Sequence, residues 1–97
     1  MNIDKAKKRI AKQVAKGFKG YPMVSIAYFG LKPDFATQVR VQFIAEEGGE
    51  PQEQKLSSST DVRNDETIQT VIVKILERTQ AVSVMEVAGV ASLSEAQ

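Results

Sequence analysis

Residues 36–56 read ATQVRVQFIAEEGGEPQEQKL, and how this stretch folds decides the architecture of the chain. Val39, Val41 and Phe43 alternate with Gln38, Arg40 and Gln42, the two-residue period of a strand buried on one face. Gly48-Gly49 then allows the chain to reverse, and QEQKLSSST follows as a strand polar enough to lie at a sheet edge. The expected unit is an antiparallel hairpin with one apolar face that the rest of the chain must cover.

Upstream, YPMVSIAYFG (residues 21–30) reads as a strand with apolar residues on both faces. Val24, Ile26 and Tyr28 share one side; Met23, Ala27 and Phe29 share the other. Such a strand is covered twice, or its second face is a binding surface. LKPDFA connects it to the hairpin, with Pro33-Asp34 as turn chemistry. Downstream, Ile68, Val71, Ile72, Ile75, Leu76 and Thr79 show the i, i+3, i+4, i+7, i+8 spacing of a core-facing helix. Asn64 is its expected N-cap, and Asp65 and Glu66 suit the positive end of its dipole. VSVMEV (residues 82–87) is a short last strand, and residues 88–97 read as a flexible tail.

The opening MNIDKAKKRIAKQVAKGFKG is an amphipathic helix, ended by Gly17, Gly20 and Pro22. Ile3, Ala6, Ile10, Val14 and Phe18 make one stripe; Lys5, Lys8, Arg9, Lys12, Lys16 and Lys19 lie opposite, with Lys7 at the apolar margin. The order α-β-β-β-α-β then predicts one α+β domain over residues 1–97. It is a two-layer sandwich whose mostly antiparallel sheet carries two helices on one face.

Composition narrows the chemistry. The 97 residues include no Cys and no His. There is therefore no disulfide framework, thiolate nucleophile or Cys-based zinc site, and the commonest general base and metal ligand is missing. Ser57, Ser58 and Ser59 have no base to activate them and read as an edge strand running into a capping loop. Glu46, Glu47, Glu50 and Glu53 lack calcium-loop spacing and flank a turn. Gly48-Gly49 opens no helix and is not a phosphate loop. No cofactor or metal is expected, and the balance leans away from an enzyme. The lysines interrupt any export-signal core, and no run reaches the ~18 apolar residues of a spanning helix. The expected location is the cytoplasm.

Charge supplies the pointed feature. Residues 1–20 hold seven cations against Asp4, a net +6, while the remainder holds six basic and eleven acidic residues, a net −5. Lys5–Arg9, Lys8–Lys12 and Lys12–Lys16 are like-charge i, i+4 pairs, each destabilising by about 0.2–0.5 kcal/mol. A helix needing only a solvated face would interleave Glu. The candidate site is therefore Lys5, Lys8, Arg9, Lys12, Lys16 and Lys19, facing nucleic acid or an acidic protein. The hairpin glutamates are a competing, internal source of compensation. A membrane surface ranks last, because the apolar stripe is needed to dock the helix on the sheet.

Two further expectations complete the reading. Tyr21, Tyr28, Phe29, Phe35 and Phe43 are candidates for a base-stacking platform, with core or homodimer packing as the simpler use. A homo-oligomeric structural protein is thus the alternative function, with Phe29 and Val84 as the sensitive positions. The element order resembles that of double-stranded-RNA-binding domains, in which a hairpin is followed by a helix that opens on a Lys cluster. The matching position here reads Asn64-Asp65-Glu66, so no RNA-contacting residues carry over.

Overall fold

A computed structural model describes residues 2–32 and 34–92. Helix α1 spans Ile3–Ala15, and strands β1, β2 and β3 span Met23–Gly30, Gln38–Ile44 and Gln52–Ser57. A 3₁₀ turn at Val62–Asn64 leads into helix α2, Glu66–Thr79, and strand β4 covers Ser83–Ser92. The order is the expected one, and the sheet runs β3-β2-β1-β4.

Alternation sets the register. Val24, Ile26 and Tyr28 of β1 stand opposite Phe43, Val41 and Val39 of antiparallel β2, so the apolar sets of both strands share one face. β3 extends the sheet antiparallel to β2 as a polar, exposed edge. The chain then crosses back through α2, and β4 pairs parallel to β1 at the other edge. A mostly antiparallel sheet with one parallel pair results.

Both helices cover the Val24–Ile26–Tyr28 face. Ala6 and Ile10 of α1 and Ile68, Ile72, Val73, Ile75 and Leu76 of α2 join those strand residues, with Val62 and Val84, in one buried cluster. No described helix covers the opposite face. Gly30 ends β1 where the Phe35 peptide crosses it closely, so a Cβ there would collide with the Phe35 carbonyl oxygen.

Local expectations are corrected at several points. Phe18 is 56% exposed, because α1 ends at Ala15 with a Lys16 cap and Gly17 at φ +70°. Its ring meets Tyr21 edge-on at 5.5 Å and not the core. The α2 N-cap is Asp65, whose side chain accepts from the Ile68 N–H, while Asn64 lies in the 3₁₀ turn. The last strand continues through Ser92, so residues 88–92 are strand and not tail. It can continue because a bulge between the Ile26–Glu86 and Tyr28–Val90 pairs, with Gly89 at φ +77°, absorbs extra residues and restores pairing beyond. The rest of the expected tail, 93–97, and Pro33 lie outside the described residues.

Candidate functional site

The α1 stripe is only partly a free cationic surface. Asn2 caps the helix by accepting from the Lys5 N–H at 2.9 Å, and Ala6 and Ile10 anchor its inner side. Lys5, Lys8, Arg9, Lys12 and Lys16 therefore all project outward and are exposed. Arg9 is spoken for: its Nη1 lies 3.1 Å from Glu77 Oε1 on α2. Lys7, at the margin of the apolar stripe, donates from Nζ to Asn64 Oδ1 at 2.7 Å. Lys19 is exposed but lies beyond the helix, where its N–H donates to Ser83 Oγ at 2.7 Å. Among the described residues, Lys5, Lys8, Lys12 and Lys16 make no ion pair.

The hairpin glutamates do not compensate the stripe. Glu53 lies on β3, at the edge remote from β4, and accepts from Gln42 Nε2 at 3.0 Å; none of Glu46, Glu47, Glu50 and Glu53 pairs with a described cation. The four lysines keep their field.

Beside them the helices leave a groove of about 530 Å³. Lys12, Gln13 and Lys16 stand on its α1 side, Gln80 and the Arg9-bound Glu77 on its α2 side. Val73, Leu76 and Val84, all buried core residues, close its floor. Sequence reasoning missed Gln13 and Gln80. The legible signal was a second seam on α2, where Gln69, Val73, Leu76 and Gln80 recur at helical spacing beside the core stripe.

A second cleft, of about 270 Å³, gathers Lys7, Tyr28, Arg63, Gln69 and Glu86. Its polar groups already have partners. Arg63 Nε and Nη2 donate to Asp61 at 2.9 and 2.6 Å, and Nη2 also reaches the Asp34 carbonyl. The Arg63 guanidinium holds the Asp61 carboxyl down at about 2. Buried Gln69 donates to the Val62 carbonyl at 2.9 Å. Burial raises the Tyr28 phenol, which stays protonated and points its hydroxyl at Glu86 Oε2, 3.4 Å away. A phenol held protonated is a poor nucleophile or base, so the cleft reads as a satisfied polar seam. Among the described residues, no group of three acidic side chains is placed to hold a metal ion. No described helix is long and apolar enough to cross a membrane.

The five aromatics do not form a platform. Tyr28 and Phe43 face the core, Tyr21 packs on Phe18, and Phe35 sits in the β1–β2 loop. Phe29 alone lies on the open face, with the Arg40 guanidinium 4.2 Å from its ring centroid. Met85 and Val87 are large exposed apolar residues of β4, at 43% and 53%; Val84, at 1%, belongs to the core.

No protein-family model, no curated protein and no solved structure matches the chain.

Proposed function

We propose that this protein is a small binding domain that engages nucleic acid through the outer face of α1. The reading rests on one observation: Lys5, Lys8, Lys12 and Lys16 project from a single helix with no described acidic partner, although the chain holds twelve carboxylate side chains. Lys5 to Lys16 spans about 16 Å at 1.5 Å per residue, room for contacts to several phosphates. Repulsion along the helix is relieved when those phosphates arrive and their counterions leave. Arg9 pairs with Glu77, and Lys19 lies beyond the helix with its N–H bonded to Ser83 Oγ and its ammonium without a described ion-pair partner. A cysteine-free chain of this kind suits the reducing cytoplasm.

Fluorescence anisotropy with labelled single- and double-stranded oligonucleotides at 50 and 200 mM salt tests the reading. Neutralising four phosphates weakens binding by about 50- to 150-fold across that range, the smaller figure for single strands. The variant with Lys8, Lys12 and Lys16 changed to Gln loses most of the affinity and most of the salt slope. Absence of binding at 50 mM salt, or full binding by that variant, refutes it.

The open sheet face favours a second reading, self-association. Met23, Ala27 and Phe29 are only half covered there, and Met85 lies beside them in register with Ser25. Sedimentation would show a mass that rises with concentration, is indifferent to salt, and falls in Met85→Lys.

A further inference from the structure

We propose that the groove between α1 and α2 receives an unstacked base of a single-stranded nucleic acid, with its flanking phosphates on Lys12 and Lys16. The inference rests on the polyanion reading above and adds which form of nucleic acid is bound and where its base sits.

Three features carry it. Charge stands over a nearly closed apolar floor: Lys12 and Lys16 are on the α1 side of the groove, above Val73 and Val84, which are buried, and Leu76, which is 9% exposed. The two lysines are one helical step of about 6 Å apart, a reach that suits neighbouring phosphates on one strand. Glu77, the carboxylate that would oppose a phosphate here, is paired with Arg9 at 3.1 Å.

The groove also carries unused amides. Gln13 and Gln80 stand on opposite sides of it, and neither side chain hydrogen-bonds to a described residue. A primary amide both donates and accepts, which matches the edge of a base that is not paired.

Gln80 is the third feature. It caps α2 at φ +51°, the only non-glycine at positive φ among the described residues. Helices that end this way usually place Gly there, because a Cβ is strained in the left-handed region. A long amide in a backbone conformation that disfavours it is an outlier of the kind that clusters at ligand contacts. A groove of about 530 Å³ has the volume of a small-ligand site, and an unstacked base can enter it, whereas a base held inside a duplex cannot. No aromatic lines it and its aliphatic floor is nearly closed, so the base is held by its edges and by its flanking phosphates.

The test compares four labelled probes of equal length at 50 mM salt: single-stranded DNA, single-stranded RNA, an abasic strand that keeps every phosphate, and a duplex. Binding to the DNA or RNA strand about tenfold tighter than to the abasic strand is expected, the scale of one good edge contact from an amide side chain. The DNA and RNA arms show whether the 2′-hydroxyl matters. Gln80→Gly should unfold at higher urea, since Gly relieves the left-handed cap, yet bind single strand and abasic strand within about threefold of each other. Gln13→Ala should narrow the same gap without gaining stability. Equal binding of single and abasic strands, or a preference that survives Gln80→Gly, overturns the groove while leaving the lysine face standing. Failure of all four probes to bind refutes the polyanion reading itself.

Discussion

Asp65 shows how one side chain joins the hairpin edge to the second helix. Its Oδ1 accepts from the Ile68 N–H at 3.1 Å, and its Oδ2 accepts from Ser58 Oγ at 2.9 Å. Asp65→Ala should lower the unfolding free energy by about 1 kcal/mol, read from the urea midpoint at unchanged m-value. The same bonds hold the Asp65 carboxyl below its usual range, the Ile68 N–H contributing most, and Arg63 holds Asp61 down at about 2. Both carboxyls bind protons less readily folded than unfolded. Their stabilisation is therefore complete above the ordinary carboxylate pKa of about 4 and is lost as the pH falls through it toward about 2. Urea midpoints should be level from pH 7 to 5 and fall between pH 4 and 2, less steeply in Asp61→Asn. Gly30→Ala should destabilise the fold by at least about 1–3 kcal/mol in the same assay, because the added carbon meets backbone that cannot move aside.

At the scale of the element, α1 carries a conflict between stability and use. Lys12 stands four residues from both Lys8 and Lys16, so Lys12→Glu turns two repulsive pairs into attractive ones. The helix should gain about 0.8–2 kcal/mol in all, seen as a higher urea midpoint, while oligonucleotide affinity falls by more than in Lys12→Gln. A gain in stability with unchanged binding would mean that the stripe is only a solvated face. Much of this element was legible in sequence, since its apolar and basic faces follow from helical period alone. Its end was not. The stripe continued on paper to Phe18 and Lys19, but Gly17 takes a left-handed conformation and turns the chain after Lys16. Likewise, β4 looked finished at Val87 because its alternation fails there. The bulge at Gly89 lets the strand resume beyond that failure.

For the whole molecule, one buried cluster links both helices to the sheet. Ile72 is fully buried within it. Ile72→Ala should cost about 2–5 kcal/mol, and far-UV and fluorescence transitions should stay coincident if helices and sheet unfold together. The charge asymmetry also becomes spatial. α1 makes contacts with β4 at one edge of the sheet, while the glutamates of the β2–β3 hairpin lie toward the other. The positive face and the negative hairpin are thus kept apart, which leaves the lysines available to an outside polyanion.

The sequence by itself determined the identity and order of the elements, which face of each is apolar, and the concentration of cations in the first helix. These are local properties, carried by residues within a few positions of one another. Only the tertiary structure decided that β4 joins β1 in parallel, that Val84 is core while Met85 and Val87 are surface, and that Arg9 turns to Glu77 while the lysines of the stripe make no ion pair among the described residues. It also decided that Gln13 and Gln80, 67 positions apart, share one groove. Each of these depends on contacts between residues far apart in the chain. Such contacts form only when the whole apolar face closes on itself, and no repeat or spacing within one segment records which partner will be met.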